Sequence, residues 1–203
     1  MLYRAGPMSG LSRLVGASAP YWAHPWGGGL ALAQHLARHP ALVAGRSVLD
    51  LGTGGGLVAI AACLLGAASC HAVDHDPWAI AATRLNAEAN GVALQLHLGD
   101  VADMALPEVD LVTVGDLFYE VDLALVVSAV LDRLVDAGAT VLVGDPGRRT
   151  LPRARLEEVA FYPVTDFGQG AGGRAAMGGV YRWVGLPVCA GDWALDKGPA
   201  PGP

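Results

Sequence analysis

At 203 residues the chain has room for one hydrophobic core, since single cores stop growing near ~250–300 residues, which argues against two domains. Apolar residues make up 53% and charged ones 16%, a balance that excludes a largely disordered chain. Net charge is −6 and unevenly divided: residues 1–49 hold four Arg and no acid, and the remainder carries −10, the opposite of a nucleic-acid-binding domain.

Residues 1–19, with Arg4, Arg13 and the small stretch Ala17-Ser18-Ala19, read as a flexible tail or a transit peptide; their apolar run is too short for a signal-peptide core. One domain is expected over residues 20–185. Its first helix is predicted at Leu30–Arg38, preceded by Gly27-Gly28-Gly29. From Ser47 short β-branched or apolar runs alternate with longer helical patterns, the rhythm of a parallel sheet covered by helices. Strands are predicted at Ser47–Leu51, Ser69–Asp74, Leu94–Leu98, Asp110–Gly115 and Thr140–Gly144, and helices at Leu57–Leu65, Pro77–Ala89 and Asp122–Val135. A glycine follows each helix, at Gly66, Gly91 and Gly138, where a left-handed residue closes the last turn. After Pro152 a short helix through Val159 is expected. An antiparallel pair then follows, Phe161–Phe167 and Gly179–Val184, joined by the small-residue loop Gly168–Gly173. Residues 186–203 read as a second flexible tail. The expected fold is α/β: a Rossmann-like, doubly wound seven-stranded sheet, mostly parallel with a terminal antiparallel strand.

The charge-free run Leu51–Ala72 raises the question of a membrane span. Its apolar part, Leu57–Leu65, falls short of the ~20 residues a bilayer requires, so no membrane association is expected. Cys63, Cys70 and Cys189 lack CxxC or Cys/His ligand spacing. They indicate neither a disulfide framework nor a metal site and point to a reducing compartment, the cytoplasm or, in a eukaryote, the mitochondrial matrix.

The strongest chemical signal is Val48-Leu49-Asp50-Leu51-Gly52-Thr53-Gly54-Gly55-Gly56 opening an apolar helix. Glycines after a strand let the backbone turn tightly beneath a ligand at the carboxyl edge of the sheet, where open α/β folds bind nucleotides. A dinucleotide loop reads G-x-G-x-x-G, whereas this one reads D-x-G-x-G-x-G and places Asp50 where a pyrophosphate would be repelled. A carboxylate suits the sulfonium and ammonium of S-adenosylmethionine. Asp74, at the end of the second predicted strand, sits where a carboxylate accepts ribose hydroxyls, while Asp76 before Pro77 suits a helix cap. Asp100, after the third strand, is placed to read an adenine edge, or to make a simple Gly-Asp turn.

The spacing of Asp50, Gly52 and Gly54 with Asp74 and Asp100 resembles the seven-β-strand S-adenosylmethionine-dependent methyltransferases. Three stretches narrow the resemblance to the lysine methyltransferases of the electron transfer flavoprotein β-subunit and their bacterial relatives. They are Pro20-Tyr21-Trp22-Ala23-His24-Pro25-Trp26-Gly27-Gly28-Gly29, Gly115-Asp116-Leu117-Phe118-Tyr119-Glu120 and Val143-Gly144-Asp145-Pro146-Gly147-Arg148. The family has Trp-Pro-Gly-Gly where this chain has Trp26-Gly27-Gly28-Gly29. The resemblance implies a protein lysine N-methyltransferase using S-adenosylmethionine, acting on that β-subunit or on a ribosomal protein.

Asp116 is the expected centre of transfer, because it follows the fourth strand and faces the ligand edge. A lysine amine with a pKa near ~10.4 is protonated at neutral pH and must lose its proton before it can attack a methyl group. Asp116 can orient that amine or take its proton; Phe118 and Tyr119 are expected to supply aromatic surface that desolvates it and favours the methylated cation. Trp22 and Trp26 read as a lid over the cofactor, with Trp26 among its contacts, or as buried packing. Asp145 and Arg148 shape the substrate side or form a turn on Pro146-Gly147. Two other functions fit the same fold, a small-molecule N-methyltransferase and a non-catalytic binding module.

Overall fold

The computed structural model describes residues 1–3, 11, 20–166 and 174–185. The expected tails at 4–19 and 186–203, apart from residue 11, and the loop Gly168–Gly173 lie outside the described residues, as does Cys189. The order of elements is α1 (Gly27–Arg38), β1 (Ser47–Leu51), α2 (Leu57–Leu64), β2 (Ser69–Asp74), α3 (Pro77–Ala89), β3 (Gln95–Leu98), β4 (Leu111–Gly115), α4 (Val121–Asp136), β5 (Thr140–Asp145), β6 (Leu156–Asp166) and β7 (Arg174–Trp183). They form one seven-stranded sheet in the order β3-β2-β1-β4-β5-β7-β6. β1 to β5 are mutually parallel, and β7 runs antiparallel between β5 and β6. The chain winds outward from β1 in one direction through β2 and β3, and from β4 in the other, so the carboxyl ends of β1 and β4 meet at a topological switch point.

Alternation along the strands builds a core on each face, as parallel sheets require. Leu49, Leu51, Val112 and Val114 face one way, against Val127, Leu131 and Leu134 of α4. Val48, Leu111 and Leu142 face the other, against Ala31, Leu32 and Leu36 of α1 and Val58 of α2. Local signals set the boundaries. Asp76 caps α3 by accepting the Trp78 N–H at 2.8 Å, Pro77 occupies the first turn, and Gly66, Gly91 and Gly138 take positive φ after the helices.

Three expectations need correction. The helix expected from Pro152 to Val159 is a single 3-10 turn, Arg153–Arg155, after which β6 begins at Leu156. Cross-strand pairing decides this: Leu156 lies opposite Trp183, Glu157 forms an ion pair with Arg182, and a bulge between Glu158 and Ala160 breaks the period-two pattern. Gly27-Gly28-Gly29 do not precede α1 but form its first turn. A Cβ on Gly28 would lie 2.1 Å from the Gly144 carbonyl oxygen, and one on Gly144 would lie 2.2 Å from that of Gly28. Only glycines let the helix cross β5 backbone against backbone. Finally, Met1–Tyr3 of the expected tail lie along α3, where the Tyr3 N–H donates to Asn86 Oδ1 at 2.7 Å and Asn90 donates to the Met1 carbonyl at 2.6 Å.

Candidate active site

A cleft of about 950 Å³ opens over the carboxyl ends of β1 and β4. Its floor is the loop after β1, where Gly52, Gly54 and Gly56 take φ of +64°, +54° and +83°. Side chains there are strained and crowded, since a Cβ on Gly52 would meet Leu117 at 2.5 Å. Helix α3 clamps the loop from behind: the Thr83 hydroxyl donates to the Gly54 carbonyl at 2.8 Å and Asn86 Nδ2 to the Gly55 carbonyl at 2.7 Å. Sequence reasoning missed both residues. Their signal was a pair of polar side chains three apart on a helix whose neighbours are core-facing, and both are buried.

Asp50 is buried at the end of β1, with one oxygen accepting from Thr113 at 2.7 Å and the other from Thr53 at 2.8 Å. Burial raises its carboxyl from 3.8 to about 6, against the lowering effect of the two hydroxyls. Asp74 lines the cleft from β2 and ties that strand to the glycine loop: it accepts from the Gly54 N–H at 2.9 Å and the Asp76 N–H at 3.0 Å. Asp100 is not brought to the cleft wall. It is exposed, and its carboxylate closes a local turn by accepting the Ala102 N–H at 2.9 Å.

On the β4 side, Asp116 adopts φ of +59°, a left-handed conformation rare outside glycine, with its N–H donating to the Gly144 carbonyl at 3.0 Å. That turn aims its carboxylate at the first turn of α1, where Oδ2 accepts the Gly29 N–H at 2.8 Å, while Oδ1 accepts from Arg148 at 2.9 Å. Burial raises the Asp116 carboxyl to about 6, opposed by Gly29 and the Arg148 guanidinium. Past the turn, side chains alternate: Leu117 and Tyr119 line the cleft, and Phe118 points away from it. Phe118 is therefore corrected from wall to core. It is 0% exposed and stacks on Trp183 with centroids 6.0 Å apart.

The aromatic wall comes instead from Tyr119, stacked on Tyr21 at 6.3 Å, with Trp26 beside Tyr21 at 6.0 Å. Trp26 donates its indole N–H to the Tyr21 carbonyl at 2.7 Å, and Trp22 lies over Gly54 and Gly55; both tryptophans line the cleft. Arg148 also lines it, whereas Asp145 is wholly buried behind, accepting the Gly147 and Arg148 N–H groups at 2.6 Å each. Burial raises the Asp145 carboxyl, an effect opposed by those N–H groups.

Among the described residues the cleft walls hold Asp50, Asp74, Asp76 and Asp116 against one permanent cation, Arg148, already engaged by Asp116. A pyrophosphate finds no counter-charge there, whereas a nucleoside bearing a sulfonium and an ammonium fits this donor set. No cluster of metal-ligating side chains is found among the described residues, and none of their helices is long and apolar enough to cross a membrane.

Residues 34–144, more than half of the chain, match the family described as Ribosomal protein L11 methyltransferase (PrmA). An electron transfer flavoprotein β-subunit lysine methyltransferase of Mus musculus is 43% identical over 133 residues, covering 64% of this chain and 52% of the relative. That of Danio rerio is 40% identical over 153 residues, covering 72% and 59%. A ribosomal protein L11 methyltransferase of Halorhodospira halophila is 61% identical over 51 residues, covering 25% and 17%. The chain spans about half the length of the curated relatives it matches. Among solved structures, the ribosomal protein L11 methylase of Lactobacillus delbrueckii subsp. bulgaricus superposes with a TM-score of 0.53 at 23% identity, covering 75% of this chain and 76% of that one. A SAM-dependent methyltransferase from Aquifex aeolicus gives 0.53 at 16%, covering 77% and 92%; at these identities the likeness concerns the fold.

Proposed function

Because the chain belongs to the ribosomal protein L11 methyltransferase (PrmA) family, we propose that it is an S-adenosylmethionine-dependent protein lysine N-methyltransferase. The first candidate acceptor is the electron transfer flavoprotein β-subunit, the protein named in the mouse and zebrafish relatives, and the second is a ribosomal protein. The observation that carries the reading is Asp116, a buried carboxylate fixed at the switch point, across the cleft floor from the glycine loop and next to the exposed Tyr119–Tyr21 stack.

Gly52 and Gly54 would hold the cofactor against the loop, Asp74 its ribose and Asp50 its cationic end, with Trp26 closing over it. When bound, S-adenosylmethionine supplies an electrophilic methyl group. The chain's own residues prepare the nucleophile. Asp116, with its carboxyl at about 6, is mostly ionised at neutral pH and accepts a hydrogen bond from the arriving ammonium, which fixes the nitrogen. Tyr119 and Tyr21 strip water from it, which lowers the cost of losing the proton, and their ring faces favour the methylated cation. The acidic balance of residues 50–203 draws a lysine-bearing surface toward the cleft.

Incubation with labelled cofactor and purified β-subunit, followed by mass spectrometry, is expected to show methyl groups on lysine. Transfer to free amines or pyridines but to no protein overturns the reading.

A further inference from the structure

Arg148 stands between two carboxylates and is fully bonded to only one. Its terminal nitrogen donates to Asp116 Oδ1 at 2.9 Å, whereas its Nε lies 3.8 Å from Asp145 Oδ2. Both atoms of the second contact, the Arg148 Nε and Asp145 Oδ2, are buried without a hydrogen-bond partner. Buried polar groups are nearly always paired, so a charged donor and acceptor that stop about 1 Å short of bonding call for a physical reason.

Backbone N–H groups hold both acids in place, whereas the guanidinium is held by the Asp116 carboxylate at the end of a long side chain. Asp145 is held by the Gly147 and Arg148 N–H groups at 2.6 Å, and Asp116 by its left-handed backbone and the Gly29 N–H. Arg148 ends a flexible side chain, with the Trp26 ring 6.0 Å from its guanidinium carbon as a face to move along. One cation thus has two seats. An ammonium arriving at Asp116 meets Arg148 already on Oδ1, so the acceptor and the guanidinium compete for the same oxygen.

Resting on the lysine methyltransferase reading, we propose that Arg148 is a positioning residue that exchanges carboxylates. It occupies Asp116 when no acceptor is present and moves onto Asp145 when the acceptor's ammonium takes its place. The exchange selects for charge: only a cation replaces the guanidinium without leaving the Asp116 carboxylate buried with no counter-charge. Neutral acceptors such as amides and hydroxyls are rejected, and an ammonium on a long stem is admitted. Asp145 never touches the acceptor; it acts by giving Arg148 somewhere to go.

Kinetics of the whole chain, with the β-subunit and ribosomal protein L11 as probes, test this. If the wild-type chain methylates neither, both the functional reading and the exchange fall. Where one is methylated, Asp145→Asn is expected to raise the acceptor KM about tenfold, the scale of one lost charge-assisted hydrogen bond, with cofactor affinity unchanged. Adding Arg148→Ala to that variant removes the competitor and should lower KM again. A KM unmoved in the single variant, or a double variant as poor as the single or worse, overturns the exchange and leaves the functional reading standing. Should the variants fail to fold, nitrogen NMR of the wild-type Arg148 Nε–H decides. The resonance is expected to stay in place with S-adenosylhomocysteine alone and to shift when the methylated probe protein is added; one that does not shift overturns the exchange.

Discussion

The two halves of the cleft handle their carboxylates differently. On the β1–β2 side, each oxygen of Asp50 and Asp74 accepts from a neutral donor: the hydroxyls of Thr53 and Thr113, or the N–H groups of Gly54 and Asp76. On the β4–β5 side, Asp116 and Asp145 share one guanidinium, and an oxygen of Asp145 has no hydrogen bond. Neutral donors, hydroxyl or backbone N–H, freeze a charge in place without cancelling it. A shared cation cancels charge and leaves its position adjustable. The first arrangement suits a ligand that is identical in every turnover, and the second suits an acceptor that arrives on another molecule and must leave again.

The largest expected effect separates neighbours within the adjustable half. Phe118→Ala opens a hole where a ring stacks on Trp183 and should lower stability by about 3–5 kcal/mol in urea unfolding. Tyr119→Ala, at a residue 47% exposed, should leave the unfolding midpoint nearly unchanged and raise the acceptor KM instead. Equal destabilisation by both would erase the line between core and wall.

Next in size, Asp116→Ala should slow single-turnover methyl transfer by about 10²-fold or more while calorimetry finds cofactor binding intact. Retained activity would move the acceptor role out of the β4–β5 half. Asp74→Ala should do the reverse, weakening cofactor affinity by ~1–3 kcal/mol through lost charge-assisted hydrogen bonds and a loosened Gly54. An unchanged affinity in a folded variant would dissolve the division of labour.

The smallest effect concerns pH. Burial lifts the carboxyls of both Asp50 and Asp116 from 3.8 to about 6. A group whose pKa is raised on folding stabilises the fold while protonated: the contribution is complete below about 4 and lost as pH rises through about 6. Asp50→Asn, which keeps the shape without the charge, should therefore gain on the order of 1–2 kcal/mol at pH 7.5 and almost nothing at pH 4, as thermal unfolding at the two pH values would reveal. Transfer by the wild-type chain should meanwhile fall below pH about 6, as Asp116 takes up its proton.

What the sequence made legible was local. β1, β2 and α3 match their expected bounds because Asp76, Pro77 and the closing glycines act within a turn of where they stand. β6 departs from the helical expectation at its start because Leu156 pairs with Trp183 at the far end of β7, beyond the reach of local sequence signals. In the site, Asp50, Gly52, Gly54, Asp74, Asp116, Tyr119, Trp26 and Arg148 all reach the cleft wall. Phe118 does not, because the left-handed turn at Asp116 fixes which side chains face inward, and a non-glycine residue gives no advance sign of positive φ. Asp100, after the third strand, fits either an adenine contact or a Gly-Asp turn, and local competition for the Ala102 N–H decides for the turn.

Gly28 is absent from the cleft wall, yet it governs what happens there. With about 2 Å between any Cβ on Gly28 or Gly144 and the opposing carbonyl oxygen, neither residue can acquire a side chain without lifting α1 off β5 as a rigid rod. The Gly29 N–H would rise with it and let go of Asp116. Sequence drift at these two positions is thereby locked together and nearly frozen. A survey that ranks positions by their distance to a ligand would pass over Gly28 and Gly144, while a survey of tolerated substitutions should find them among the least forgiving in the chain.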